Sequence, residues 1–224
     1  MRSAASSPGE TVASIEALGV IAVIRIEDAT SLPPIVDALV AGGVRALEVT
    51  MTMPGALDAL AALRALPADR IVLGAGTVLD AETARLAILA GARFIVAPTR
   101  PAGLVEVCHR YGVVAMPGAY TPTEILAAAE AGADLVKVFP AGGLGPGYLK
   151  ELRGPLPHLR LVPTGGITAD SVGAFLAAGA VAVGVGGALL ERDAVARGDY
   201  ARITAQARRL VAAIGAARGG TRDG

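Results

Sequence analysis

Short apolar runs alternate with longer segments of helical period along most of this sequence. The apolar runs are rich in Val, Ile and Leu and predict eight strands, at 20–25, 46–51, 71–77, 94–98, 113–117, 135–139, 160–164 and 181–185. The segments between and after them have helical length, at 31–41, 55–65, 80–90, 101–111, 122–131, 146–152, 169–178 and 199–214. This alternation is typical of βα units that build a parallel sheet.

A short motif that begins with Ala-Gly supports the strand count. It occurs as AGGV at 41–44, AGAR at 90–93, AGAD at 131–134 and AGAV at 178–181, each time directly before an even-numbered strand. Four double units predict an α/β fold, a single (β/α)8 TIM barrel at 12–214 with an N-terminal helix preceding the first strand and flexible ends at 1–11 and 215–224. An open doubly wound sheet is the alternative, but its phosphate loop would follow the first strand, where this chain has RIEDAT and no glycine.

Composition narrows the class of protein. Of the 224 residues, 53% are hydrophobic and 18% charged, which excludes a disordered chain. The 20 basic and 20 acidic side chains leave no electrostatic signature for nucleic acid or a membrane surface, so a small-molecule partner is expected. No apolar run reaches the length that spans a membrane. A single cysteine, Cys108, excludes an internal disulfide and favours the cytoplasm, and with only two histidines no metal site is expected.

Only two basic residues are lysines, and one of them, Lys137, lies inside an apolar strand. In LVKVFP the period of two places Leu135 and Phe139 on its face. Burial disfavours a charged ammonium, so this lysine is either paired or neutral, and a neutral amine is a nucleophile suited to Schiff bases. The other interpretation is a buried ion pair that only fixes the packing. Lys150, in LKELR, is expected at the surface.

Glu48 repeats this pattern in ALEVTM, with Ala46 and Thr50 on its side of the strand. If both faces point into one barrel, Glu48 and Lys137 lie within a few ångströms of each other. The carboxylate can then move protons through water, which is general acid/base catalysis. A structural ion pair explains the two residues as well, unless a substrate site lies beside them.

Two glycine-rich segments indicate such a site. VPTGGIT at 162–168 follows the seventh strand and VGVGGAL at 183–189 follows the eighth. These loops form the phosphate site of many barrels, because their backbone N–H groups bind an anion without any net protein charge. The segments therefore predict how a neutral chain binds an anionic substrate.

Other polar and apolar residues at strand ends have two interpretations each. Arg25 ends the first strand and either clamps a carboxylate or is a rim charge. Thr77 either donates to the same carboxylate or caps a helix. Phe139 and Pro140 would exclude water from the amine. The neighbours Cys108 and His109 are expected to be packing and surface residues, not a catalytic dyad.

Six motifs occur in one order: LEVT (47–50), GAGTV (74–78), MPG (116–118), VKVFPA (136–141), PTGGI (163–167) and VGVGG (183–187). This set resembles the 2-keto-3-deoxy-6-phosphogluconate (KDPG) aldolases, also called bifunctional KDPG and 4-hydroxy-2-oxoglutarate (KHG) aldolases, over about residues 12–212. The resemblance implies a class I aldolase on a (β/α)8 barrel, a homotrimer that uses no metal or other cofactor. Its partner would be a phosphorylated or dicarboxylic keto acid.

The resemblance also implies roles. Lys137 would form the Schiff base with a 4-hydroxy-2-oxo acid, and Glu48 would be the general acid/base, acting through a water. Arg25 and Thr77 would bind the pyruvyl carboxylate. Phe139 and Pro98 would form the pocket walls. The distal phosphate end would be bound by Thr164, Gly165, Gly166, Gly186 and Gly187. Cleavage would yield pyruvate and an aldehyde, glyceraldehyde 3-phosphate or glyoxylate.

Two positions depart from the pattern. Thr52 stands where well-known members have an arginine near the substrate, although some members also lack it, and Gly187 replaces a serine. The reaction is therefore better defined than the substrate, which is KDPG, its galactonate epimer or KHG. Rival interpretations are a sugar-phosphate isomerase or epimerase with Glu48 as proton carrier, and a non-catalytic barrel that binds phosphorylated metabolites.

Overall fold

The computed structural model describes residues 7–67 and 69–219. The helices are α1 Pro8–Leu18, α2 Leu32–Ala41, α3 Ala56–Leu63, α4 Ala81–Ala90, α5 Leu104–Arg110, α6 Pro122–Glu130, α7 Gly145–Arg153, α8 Val172–Ala177, α9 Arg192–Ala196 and α10 Tyr200–Gly219. The strands are β1 Val20–Ile24, β2 Ala46–Thr50, β3 Val72–Gly76, β4 Phe94–Val96, β5 Val114–Met116, β6 Gly118–Ala119, β7 Val136–Val138, β8 Leu161–Pro163 and β9 Val183–Val185. Every predicted strand and helix is present near its expected bounds, and the two-residue β6 and helix α9 are additional.

The strands form two parallel sheets. The larger has the order β5-β4-β3-β2-β1-β9 and the smaller the order β6-β7-β8. Pro117 alone separates β5 from β6, because proline has no N–H to give to a ladder. On the other side, Thr164 forms a parallel bridge with Gly184 of β9. The fold is thus α/β with a curled six-stranded parallel sheet, and the assigned strands do not close into the single eight-stranded barrel expected from the sequence.

Apolar side chains pack in two layers. One lies between the strands and the helices and includes Leu39, Leu60 and Leu104. The other lies on the inner side of the strands and comprises Val12, Ile15, Ile21, Ala46, Phe94, Val96, Val114, Met116, Leu135, Val162 and Ala182. Most of these residues come early in their strands, and two belong to α1. Helix α1 therefore covers the amino ends of the strands and leaves the carboxyl ends open.

Parts of both ends that the sequence predicts to be flexible are helical. Ser7 and Glu10 form a reciprocal capping box at the start of α1, and Gly19 ends the helix in a left-handed conformation. Helix α10 continues to Gly219. Residues 8–11 and 215–219 are therefore helical, while 1–6 and 220–224 lie outside the described residues. None of the helices described is long and apolar enough to cross a membrane.

Candidate active site

Lys137 and Glu48 face each other from opposite parts of the fold. Lys137 lies on β7 between Gly118 of β6 and Val162 of β8. Glu48 lies on β2, and only 2% of it is exposed, against 5% of Lys137. Lys137 Nζ is 4.0 Å from Glu48 Oε1. The expectation that the two side chains lie within a few ångströms is confirmed.

The carboxyl of Glu48 is in an unusual electrostatic position. Within the described part of the chain its Oε1 is buried and accepts no hydrogen bond. Burial raises the pKa of Glu48 above its usual value, because water no longer solvates the charged form, while Lys137 and Arg25 oppose this rise. An unsatisfied buried oxygen beside an amine can receive a proton from a water or a substrate hydroxyl.

Gly76, at the end of β3, makes room for this carboxylate. It pairs with Thr50 of β2, and a Cβ at this position would overlap the carboxylate of Glu48. Gly76 is not among the site residues predicted from the sequence. Its signal is a glycine at the end of an apolar strand, in GAGT, where a close approach of another group is the usual reason for glycine.

Phe139 covers the amine of Lys137. The ring centroid lies 5.0 Å from Lys137 Nζ, within the range of a cation–π contact. Phe139 and Pro98 are both half-buried, and they line a groove of about 530 Å³ that extends toward α6. Pro140, the other predicted water-excluding residue, is exposed. Phe139 therefore separates the lysine from the open groove.

Arg25 and Thr77 lie at the ends of β1 and β3, the two strands on either side of β2. Arg25 directly follows β1 and is exposed, and its charge lowers the pKa of Glu48, which places the guanidinium within electrostatic reach of the buried pair. Thr77 directly follows β3 and is half-buried, with a positive φ of 56°. Strain at a non-glycine residue is often found at functional sites.

Thr52 lies at the same rim but is bound to another residue of its own strand end. Its side chain is exposed, and Thr52 Oγ1 lies 3.1 Å from Oγ1 of the buried Thr50. A threonine is neutral, so Thr52 does not supply the positive charge that an arginine would have at this position.

The predicted distal residues also lie at strand ends near Lys137. Thr164 is buried; its N–H donates to the carbonyl of Val138 on the lysine strand, and its carbonyl accepts from the N–H of Ala141. Gly165 and Gly166 have positive φ and pack against Gly142, in the loop after β7. A Cβ at Gly184 would overlap Thr164 Oγ1, so this glycine permits the bridge between β8 and β9.

The loop after β9 is more open. Gly186 is half-buried beside Val23, and Gly187 is exposed, with no atom within 4 Å of the position of a Cβ. Gly187 thus contributes only backbone groups to this edge.

Three residues lie away from this site, as expected. Lys150 is exposed on α7. Burial raises the pKa of the Cys108 thiol to about 12, with a smaller contribution from Asp134. His109 Nε2 lies 3.2 Å from Asp134 Oδ2, so it pairs with an aspartate and not with the cysteine.

Among the described residues, no group of three His, Cys, Asp or Glu side chains is placed to hold a metal ion.

A family model described as KDPG and KHG aldolase matches residues 12–206. The chain belongs to this family. A 2-dehydro-3-deoxy-phosphogluconate aldolase of Treponema pallidum is 36% identical over 207 residues, which cover 92% of this chain and 97% of the relative. A KHG/KDPG aldolase of Escherichia coli K12 is 35% identical over 195 residues, 86% of this chain and 90% of the relative.

Solved structures agree with this family membership. The KDPG aldolase of Legionella pneumophila, crystallised with pyruvate captured at low pH as a covalent carbinolamine intermediate, superposes with a TM-score of 0.82 at 29% identity. The match covers 92% of this chain and 98% of that chain.

Proposed function

We propose that this chain is a class I aldolase that cleaves a 4-hydroxy-2-oxo acid, KDPG or KHG, to pyruvate and an aldehyde. The aldehyde is glyceraldehyde 3-phosphate from KDPG and glyoxylate from KHG. The observation that supports this most is the buried Lys137 amine 4.0 Å from the buried Glu48 carboxyl, beneath an open end of the strands. A lyase of this family needs both groups in contact with one substrate.

The reaction begins at the amine of Lys137. The neutral amine attacks C2 of the substrate to give a carbinolamine, which loses water to form an iminium ion. Glu48 supplies the proton for the leaving water. It then accepts the proton of the C4 hydroxyl through a bridging water while the C3–C4 bond breaks. The electron pair of that bond enters the iminium and gives an enamine. Protonation at C3 and hydrolysis release pyruvate and return the free amine.

Binding residues surround this pair at the neighbouring strand ends. We assign the pyruvyl carboxylate to Arg25 and Thr77, and the walls that exclude water to Phe139 and Pro98. The distal end of the substrate extends over the loops after β8 and β9, at Thr164 and at the backbone N–H groups of Gly165, Gly166, Gly186 and Gly187. Thr52 lies at the rim and, like Gly187, weakens the grip on the distal end of the substrate. With neither an arginine at 52 nor a hydroxyl at 187, the galactonate epimer of KDPG remains an alternative substrate.

We further propose that residues 12–214 form one barrel that assembles as a homotrimer in the cytoplasm. The bridge from Thr164 to Gly184 and the continuity of β5 with β6 across Pro117 support closure of the two sheets into one barrel. The exposed leucines Leu79, Leu86 and Leu89, each at least 49% exposed on or beside α4, support association through that helix.

The two rival functions, a sugar-phosphate isomerase and a non-catalytic binding protein, do not need an imine on Lys137. Arginine keeps the charge but cannot form an imine. Lys137→Arg should therefore lower pyruvate release from KDPG or KHG by more than about a thousandfold. Lys150→Arg, the matched control on the surface of α7, should leave the rate unchanged. Substantial pyruvate release by Lys137→Arg would mean that cleavage does not proceed through an imine on Lys137. A wild-type enzyme that releases no pyruvate from either acid would contradict the aldolase; conversion of a sugar phosphate would then favour the isomerase, and binding without turnover the binding protein.

A further inference from the structure

Thr50 is a fully buried polar residue on the same side of β2 as Glu48, with an exposed fraction of 0%. Its Oγ1 lies 3.1 Å from the carbonyl oxygen of Ile24 and 3.1 Å from Thr52 Oγ1. A carbonyl can only accept, so the hydroxyl proton of Thr50 is donated to Ile24, and Thr52 donates to Thr50. A directed chain of hydrogen bonds therefore runs from the exposed Thr52 through Thr50 to the end of β1.

The end of β1 determines where Arg25 begins. The carbonyl of Ile24 belongs to the planar peptide group that also contains the nitrogen of Arg25, so a hydrogen bond to this carbonyl fixes the plane from which Arg25 extends. Arg25 forms no salt bridge with any described residue, although its charge reaches Glu48. Among the described residues, the backbone at the end of β1 is therefore what constrains the direction of the Arg25 side chain.

We propose that Thr50 is a positioning residue that orients Arg25 toward the carboxylate of the bound 2-oxo acid, with Thr52 supporting it from the rim. This inference rests on the proposed function, which assigns that carboxylate to Arg25. Because the Thr50 hydroxyl gives its proton to the carbonyl of Ile24, it acts through Arg25 and does not donate to the substrate. The short side chain of Thr52 has a use in this arrangement: it supplies a donor to Thr50, and Arg25 remains the cation for the carboxylate.

The test removes the Thr50 hydroxyl and keeps the shape of the side chain. Thr50→Val should raise KM for the keto acid about tenfold and change kcat by less than about twofold, while Thr50→Ser should restore most of the binding. The matched control is Thr204→Val, because Thr204 Oγ1 lies 3.1 Å from the carbonyl of Ala38 and links α10 to α2. This control should lower the melting temperature without changing KM.

A double-mutant cycle with Arg25→Met decides whether Thr50 acts through the arginine. The readout is the pyruvate concentration that half-saturates borohydride trapping, because it does not depend on turnover. Thr50→Val should raise this concentration about tenfold in the wild-type background and not at all in Arg25→Met. Equal increases in both backgrounds, or no increase in either, would overturn the proposal.

Two further outcomes separate this proposal from the proposed function. If Thr50→Val does not fold, Thr52→Val removes only the donor to Thr50. It should then give an increase of about threefold that disappears in Arg25→Met, and an increase that persists there contradicts the proposal. A wild-type enzyme that traps no pyruvate contradicts the aldolase and this inference together. Normal trapping with independent effects of Thr50 and Arg25 contradicts the inference alone.

Discussion

Glu48 combines three properties at the scale of a single residue. Its carboxyl is buried, it lies 4.0 Å from the amine of Lys137, and Gly76 leaves the space it occupies. Burial raises its pKa and the two nearby cations partly offset that effect. A carboxyl with a raised pKa stays protonated over a wider pH range, so it can both give and accept a proton near the conditions in which the enzyme works.

This environment predicts the acid side of the pH profile. In the proposed reaction ionised Glu48 is the base for the C4 hydroxyl, so kcat/KM for cleavage should fall as the pH drops through its pKa, with a midpoint above the 4.5 that is usual for glutamate. Arg25→Met removes a charge that lowers this pKa, so its midpoint should move to higher pH.

The control for this shift is Arg45→Met, since the Arg45 guanidinium donates to the carbonyl of Asp69 and not to the site. A midpoint at or below 4.5 in the wild type, or the same shift in both variants, would contradict the assignment of Glu48 as the base.

The sequence predicts Lys137 and Glu48 for the same physical reason. A charged residue inside an apolar strand is costly, so its presence indicates either an ion pair or a function. In the structure the two residues lie 4.0 Å apart, beside the open end of the strands. Gly76 and Thr50 were not predicted as site residues. The role of Gly76 comes from a side chain on the adjacent strand, and that of Thr50 from hydrogen bonds to Ile24 and Thr52, which no single-strand pattern contains.

At the scale of elements, helix α1 determines which end of the strands is covered and which is open. Val12 and Ile15 belong to the same apolar cluster as Ile21, Ala46 and Phe94, which lie at the amino ends of their strands. The carboxyl ends therefore stay open, and Lys137 and Glu48 lie in that direction from the inner core. Closing one end of the strands by a helix makes the other end the place where a substrate enters.

Truncating α1 at its most buried position should cost stability and spare the chemistry. Ile15 has 0% exposure, so Ile15→Ala should lower the free energy of unfolding by about 2–5 kcal/mol in a urea titration. The kcat of the molecules that remain folded should be unchanged. Leu57→Ala, at a position 37% exposed on α3, is the control and should cost less than about 1 kcal/mol. A cost for Ile15→Ala as small as that of the control would mean that α1 does not form part of the core.

Strands and helices with a clear hydrophobic period were predictable from the sequence. The break in the strand at Pro117, the short helix α9 and the exact start of α1 were not. All eight expected strands occur, because apolar runs between glycine-ended helices leave few alternatives. Pro117 was predicted as a strand end, but β6 continues the strand directly after it. Helix α9 has five residues, too few to show a helical period. Residues 8–11 looked like a loose terminus, yet the reciprocal contacts of Ser7 and Glu10 begin a helix there.

At the scale of the whole molecule, three leucines on or beside α4 are exposed to solvent in the monomer. Leu79 is 60% exposed, and Leu86 and Leu89 are 49% exposed each. A formal net charge of zero adds no repulsion between copies. Oligomeric state cannot be read from the sequence pattern, since a surface leucine and a loosely packed core leucine have the same helical period.

We expect the wild-type enzyme to run as a trimer in size-exclusion chromatography with light scattering. The double variant Leu86→Glu/Leu89→Glu should shift it toward the monomer, because buried carboxylates would be left without partners at the interface. Ala201→Glu/Ala205→Glu adds the same charges at exposed positions of α10 and should leave the trimer intact. A wild-type monomer, or a trimer that survives the leucine substitutions, would contradict association through α4.

The proposed cleavage requires that the Lys137 amine forms an imine with the keto acid. Incubation with pyruvate and borohydride, followed by intact mass and peptide mapping, detects this imine as a stable adduct. We expect one reduced pyruvyl adduct per chain, on the peptide that contains Lys137, and no adduct in Lys137→Arg. An adduct on Lys150, or an unmodified wild-type chain, would contradict it.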